Sequence, residues 1–385
     1  MVMKEDMRKW LAPCPLAAAL FLILPSAKGL ETLMPEIPAG KPLPAGKVRP
    51  QLVNVGDTAV LLAPDGSLWA WGGTYLSNVC VCPEPVLLPV PRRIGSDSDW
   101  KQVAAGGAWF TAALKNDGSL WAWGCNGDGA VGQPNLTNHF GLPTRIGAET
   151  HWTNLCAGPY HSLALKQDGS LWAWGYNNFG QLGDGTGTSR SVPTRIGAEQ
   201  DWRMTAAAIF NSFALKRNGT LWGWGHGRND SAVAPRQIGL DTNWLAVSAY
   251  DRTVLALKTD GTLWRAGLDA YDPDFTEIGG DRDWTEIEAG PGAFFARKRD
   301  GSGWACVDRR PRRGPAPSSP APMPLPLGFE PWAFAPGSVT TLLLGEDGKL
   351  WTWGTRLGLA KSTVDNPDQT PFLLWELPPE ARGSR

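Results

Sequence analysis

Residues 155–186 read LCAGPYHSLALKQDGSLWAWGYNNFGQLGDGT. Within them His161 to Lys166 alternates and runs into Gln167-Asp168-Gly169-Ser170, followed by Leu171-Trp172-Ala173-Trp174. Asp-Gly between alternating apolar segments is a strong hairpin signal, because both turn positions accept positive φ. A turn centred on Asp168-Gly169 sets Leu165 opposite Trp172, Ala164 opposite Ala173 and Leu163 opposite Trp174. One face then carries Leu and Trp, and the other carries small Ala side chains. Such a hairpin cannot bury its indoles alone, so it calls for neighbours stacked large face on small face.

The neighbours are in the chain. DGSLW occurs at 65–69, 117–121 and 168–172, NGTLW at 218–222, DGTLW at 260–264, DGSGW at 300–304 and DGKLW at 347–351. A period of about 40–50 residues marked by Gly and Trp is the signature of propeller blades. The same facing rule sets Leu114, Leu215, Leu257 and Leu344 opposite Trp121, Trp222, Trp264 and Trp351. It pairs Ala113 with Ala122, Ala214 with Gly223 and Ala296 with Ala305. A second signal precedes the turns: PRRIGSDSDW at 91–100, PTRIGAETHW at 143–152, PTRIGAEQDW at 193–202 and PRQIGLDTNW at 235–244, with a weaker FTEIGGDRDW at 275–284. Arg-Ile-Gly reads as a short strand with Pro at its start, where no ladder donor is lost. The Trp opens the next strand, which ends in small residues suited to the centre of a ring. Four strands per repeat result. The first repeat starts near Gln51, and Thr370 to Trp375 supplies an extra strand after the seventh. The expectation is therefore an all-β, seven-bladed propeller of four-stranded antiparallel blades, closed where the carboxy-terminal strand completes a blade beside the amino-terminal one.

At 385 residues and a formal net charge of −1, the chain offers no global attraction to nucleic acid or to an anionic membrane. Residues 1–29 resemble an export signal. Met7-Arg8-Lys9 is basic, Leu16 to Leu24 is apolar, and Ala27-Lys28-Gly29 is small. The apolar run is too short to span a bilayer. Residues 30–50 form a Pro-rich linker, 51–378 the propeller and 379–385 a tail. Residues 307–328, rich in Pro and Arg, read as a loop insertion in the sixth repeat. The basic cluster Arg309, Arg310, Arg312 and Arg313 lies there and reads as a solvated loop.

These residues resemble the regulator of chromosome condensation (RCC1-type) repeat. GYNNFGQLGDGT at 175–186 is similar to the family's G-x-N-x-x-G-Q-L-G loop, and Gly158 to Leu165, with His161, to its Gly-x-x-His strand. Residues 124–133 keep the loop in part, and the other repeats depart from it. The resemblance implies a seven-bladed propeller. It also implies two kinds of activity: guanine-nucleotide exchange and chromatin binding, as in the founding nuclear member, or capture of another protein on a propeller face, as in exported bacterial members. The export signal and the near-zero charge favour the second.

No G-x-S-x-G, H-E-x-x-H, P-loop or C-x-x-C motif is present. In the repeats' shared register the slot of His161 is held elsewhere by Thr58, Phe110, Asn211, Thr253, Ala293 and Thr340, so no ring of metal ligands forms there. Neither a catalytic residue, a metal nor a cofactor is expected. Cys80, Cys82 and Cys125 fall in loops after the W-x-W strands of adjacent repeats. In an oxidising compartment one disulfide, Cys125 with Cys80 or Cys82, is expected, with a Cys-x-Cys metal site as the alternative. The W-x-W indoles read as core, whereas Trp109 and Trp375 lie outside the repeating positions and are surface candidates.

The expected function is a monomeric, secreted or cell-surface, non-catalytic scaffold. It would engage a protein partner through the loops after each W-x-W, which project on one face. Tyr75, Tyr176, Asn178, Phe179, His226 and Arg228 are the candidate contacts, since aromatics and Arg dominate binding hot spots. Asn177 and Gln181 would hold loop shape. The alternative is a carbohydrate-binding or carbohydrate-active propeller, which requires an exposed aromatic beside convergent carboxylates.

Overall fold

The structure, a computed structural model, describes residues 48–55, 58–73, 87–107, 110–134, 139–226, 231–251, 253–267, 274–290, 293–307, 322–325, 331–335, 340–345, 350–354 and 372–375. They form seven antiparallel sheets of four strands each, every sheet built from four consecutive strands. The blades span 51–93, 100–145, 152–196, 202–238, 244–277, 284–324 and 331–375. Blade three shows the plan: Trp152–Ala157, His161–Lys166, Leu171–Gly175 and Arg190–Ile196, in that order across the sheet. The first strands of successive blades pack on one another and surround the ring axis. Blades one and seven share no strand, and meet by packing.

The hairpin register differs from the expected one by a single residue. Ala164 faces Trp172, Leu163 faces Ala173, Ser162 faces Trp174 and Leu165 faces Leu171. The cause is the turn. Lys166 N–H donates to the Ser170 carbonyl and Gly169 N–H to the Lys166 carbonyl, so Gln167, Asp168 and Gly169 together form the loop. Gly169 takes the left-handed φ of +80° that ends a three-residue hairpin loop. Its Cα also lies against the next blade, where a Cβ would meet the Gln200 carbonyl oxygen at 2.1 Å. The shift recurs: Ala113, Ala214 and Ala256 face Trp121, Trp222 and Trp264, while Leu114 faces Leu120 and Leu344 faces Leu350. Large indoles thus share a face with small residues, and Leu shares the other face with Leu.

The corrected faces explain the stacking. The Leu face of one blade meets the Trp face of the next. Phe110, Leu114 and Leu120 of blade two pack on Trp152, Ala164 and Trp174 of blade three. Leu163, Leu165 and Leu171 of blade three pack on Trp202, Ala214 and Trp224 of blade four. Leu342, Leu344 and Leu350 of blade seven pack on Leu52, Leu61, Trp69 and Trp71 of blade one, which closes the ring.

The D-G-[ST]-L-W sequence has a physical reading in the turn. Asp168 Oδ1 accepts from both the backbone N–H and the hydroxyl of Ser170, and Ser170 Oγ accepts from Trp172 Nε1 at 2.9 Å. The relay repeats at Asp65-Ser67-Trp69, Asp117-Ser119-Trp121, Asn218-Thr220-Trp222, Asp260-Thr262-Trp264 and Asp300-Ser302-Trp304. Next to the turns of blades two to six a Lys caps two indoles, whereas blade one has Ala63 in that slot. Lys216 Nζ lies 4.8 Å from the Trp202 ring and 4.4 Å from the Trp222 ring, paired with Glu199 and Asp201. Lys115, Lys166, Lys258 and Lys298 repeat the arrangement. Blade seven has Pro331 facing Gly345 at these positions, so the lysine goes where the opening indole goes. A cation over a ring contributes about 0.5–2 kcal/mol.

Candidate functional site

The second strand of each blade starts at the same end of the sheet as its third strand finishes, so two connections meet there. In blade three Tyr176 N–H donates to the Tyr160 carbonyl; in blade four His226 N–H donates to the Phe210 carbonyl. Tyr160 and Phe210 therefore hold equivalent backbone slots, as do Tyr176 and His226. Gly175 makes the approach possible, with a φ of +106° and no room for a Cβ, which would lie 2.5 Å from the Tyr160 carbonyl oxygen. Phe179 extends from the loop between them. The rings form a continuous, half-buried patch across two blades. Tyr160 stacks on Phe210 at 5.8 Å and 10°, Phe179 meets Phe210 at 4.6 Å and His226 at 5.0 Å, and Tyr176 meets Tyr160 at 6.1 Å.

The loop carrying Phe179 is held from inside. Buried Asn177 donates from Nδ2 to Asp184 and to the carbonyls of Thr186 and Thr188, and its Oδ1 accepts from Leu182 N–H. Gln181 Oε1 accepts from Phe179 N–H. The Gln181 carbonyl receives both Ser212 Oγ and Trp224 Nε1 of blade four, which latches the loop to the next blade. Burial acts to raise the Asp184 carboxyl, but hydrogen bonds from Thr186 and Arg190 hold it below the usual range. Blade two repeats the device. Asn126 Oδ1 accepts from Val131 N–H, and the Ala130 carbonyl receives Trp174 Nε1 and Ser162 Oγ. Asn177 and Gln181 thus do shape the loop.

His161 Nε2 lies 2.8 Å from Ser212 Oγ, a contact that on an open surface would suggest a base and a nucleophile. Both side chains are fully buried, and burial pushes the imidazole down to about 3. No substrate reaches the pair, and at neutral pH the ring is uncharged. It ties blade three to blade four. Among the described residues, no group of three or more His, Cys, Asp or Glu could hold a metal ion. Burial pushes the Cys156 thiol up to about 12, so it is unreactive near neutrality.

Of the sequence-based contacts, Tyr176, Phe179 and His226 meet in the patch, while Asn178 is exposed on the same loop without a ring contact. Tyr75 and Arg228 lie outside the described residues, as do Cys80, Cys82 and Trp109. Cys125 ends the third strand of blade two. Tyr160, Phe210 and Asp128 were not singled out by sequence reasoning. A signal for two of them exists: the residue just before the His161 slot is Trp109, Tyr160 and Phe210 in three consecutive repeats. Asp128, on the equivalent loop of blade two, carries a half-buried carboxyl that desolvation raises. Tyr160 is raised by burial, by Asp128 and by Tyr176; Tyr250 is pushed up to about 12 by burial, Asp251 and Tyr160.

Comparison with known proteins finds a repeat-family match within residues 100–215. Residues 100–130 and 152–181, and in a second alignment 117–165 and 168–215, match the regulator of chromosome condensation (RCC1) repeat. The ultraviolet-B receptor UVR8 of Arabidopsis thaliana is 29% identical over 142 residues, 36% of this chain and 32% of that protein. The mitochondrial RCC1 domain-containing protein RUG3 of the same plant is 35% identical over 106 residues, 27% of this chain and 24% of that protein. The matched stretch is thus a third or less of each relative's length. Among solved structures, Prp20p of Saccharomyces cerevisiae superposes with a TM-score of 0.67 at 18% identity, over 91% of this chain and 90% of that one. Human WBSCR16 gives 0.66 at 17% identity, over 80% and 93%. At such identities the likeness speaks for the fold alone.

Proposed function

Starting from a seven-bladed propeller that carries RCC1 repeats, we propose that this protein is an exported, monomeric, non-catalytic scaffold that binds a protein partner through the loop face of blades two to four. One observation carries the reading: Tyr160, Tyr176, Phe179, Phe210 and His226 form a half-buried aromatic patch at the loop end of the sheets. Rings already ordered by their own backbone lose little side-chain entropy on binding, and aromatic anchors of this kind dominate interface energetics. Prp20p, whose binding to Gsp1p and histones has been characterised, supplies an analogy on the same fold. The analogy does not transfer the partner. Export is proposed from residues 1–29 alone.

The test is cross-linking capture of partners from the extracellular fraction by the purified chain and its Phe179→Ala and Phe210→Ala variants. A partner held by the parent and lost by both variants, with unchanged melting temperature, supports the reading. A partner held equally by all three overturns it. Amino-terminal sequencing of secreted protein should start after residue 29 or close to it, and an intact terminus in cytosolic protein overturns export.

A further inference from the structure

The chain contains two Asn-Gly steps, Asn126-Gly127 and Asn218-Gly219. Asparagine is chemically labile in front of glycine, because no side chain hinders the approach of the glycine nitrogen to the Asn side chain. That nitrogen attacks Cγ, the bond from Cγ to Nδ2 breaks, and ammonia leaves with the proton of the glycine N–H. Water then opens the five-membered imide to aspartate, or to isoaspartate, which carries one more methylene in the main chain.

The fold treats the two sites differently. Asn126 is 8% exposed, and both ends of its amide are held: Oδ1 accepts from Val131 N–H, and Nδ2 donates to the Gln133 carbonyl. Freeing its Cγ for attack means opening the whole loop. Asn218 stands exposed at the tip of the blade-four hairpin. Its Oδ1 accepts from the N–H and the hydroxyl of Thr220, and among the described residues Nδ2, the leaving nitrogen, makes no hydrogen bond. The two Thr220 donors sit on the oxygen that takes negative charge when Cγ is attacked, so they favour the step. The brake is the bond from Gly219 N–H to the Lys216 carbonyl, which breaks when the exposed tip frays.

The aspartate product is one the ring already uses. Five of the six described relay turns carry Asp in this slot, and blade five spells Asp-Gly-Thr-Leu-Trp at 260–264. Thr262 holds Asp260 Oδ1 as Thr220 holds Asn218 Oδ1, and these bonds keep the Asp260 carboxyl below its usual range. An aspartate at 218 is a charge-assisted acceptor for the same two donors.

We propose that Asn218 is the preferred site of spontaneous deamidation in this protein, where water replaces the amide and blade four acquires the aspartate relay of its neighbours. The modification needs no enzyme and adds a negative charge at the turn. It stands apart from the scaffold reading.

The experiment holds the full chain at mildly alkaline pH, natively and in concentrated urea, and follows both sites by peptide mapping with tandem mass spectrometry. In the native chain Asn218 should convert roughly fivefold or more faster than Asn126, the factor that one hydrogen bond on the leaving nitrogen supplies. Urea should bring the two rates together. Asn126 converting as fast as Asn218 in the native chain, or the same ratio persisting in urea, overturns the proposal. So does a native Asn218 that stays intact for as long as urea takes to convert it fully. The Asn218→Asp chain should melt no lower than the parent; a lower melting temperature shows that the relay rejects aspartate there and overturns the product assignment.

Discussion

Two tryptophans of one W-x-W motif do different jobs. Trp174 is fully buried at the blade seam and hydrogen-bonded to the Ala130 carbonyl, while Trp172 is partly exposed and held by Ser170. Trp174→Ala should cost about 3–5 kcal/mol in chemical denaturation, and Trp172→Ala clearly less. Equal costs would overturn the register in which Trp174 lies at the seam and Trp172 at the rim. His161 sets a pH dependence. Its pKa falls from 6.5 in the unfolded chain to about 3 in the ring because the buried site disfavours the charged form. Between those values the unfolded chain binds the extra proton, so the contribution is complete above about pH 6.5 and is lost as pH falls toward 3. The slope from this one group approaches about 1.4 kcal/mol per pH unit. His161→Asn, which installs the residue blade four uses at Asn211, should flatten the acid limb of a stability–pH curve; an unchanged limb refutes the assignment.

At the scale of the element, the hairpin and its following loop form one device. Gly169 closes the loop, the Asp168 carboxylate holds Ser170, and Ser170 holds Trp172, so the turn also fixes an indole rotamer. Ser170→Ala should cost about 1 kcal/mol and raise mobility at the Trp172 indole, read from the NMR signal of its N–H. The loop at 176–189 depends on Asn177, whose amide satisfies three carbonyl or carboxylate acceptors. Asn177→Ala should leave the blades folded while speeding hydrogen exchange of Leu182 N–H, which loses its acceptor. The motif was legible in the sequence, down to its role in loop shape. The register was not. Asp-Gly signals both a two-residue and a three-residue hairpin, and only the hydrogen bond between Lys166 and Ser170 distinguishes them.

At the scale of the molecule, the seam between blades seven and one decides between a ring and an open array. Leu342 and Leu344 are fully buried there against blade one. In a closed ring Leu342→Ala, costing about 2–5 kcal/mol, should lower the same single unfolding transition that Trp174→Ala lowers. Two separable transitions would mean that the ends unfold independently, as in a linear repeat protein.

Recurrence at a blade's period, Gly at positive-φ turns and Trp at every third-strand start were sufficient to specify a closed all-β array, because each is a local requirement repeated along the chain. The aromatic patch is a different kind of fact. Tyr160 and Phe210 are some 50 residues apart, at the loop ends of different blades. Aligning the repeats shows an aromatic at the slot of Tyr160 and Phe210, but nothing in either repeat says that the two rings touch. Only the lateral stacking of blades brings their loop ends together, since adjacency around a ring is set by packing between sheets and not by the order of residues within one.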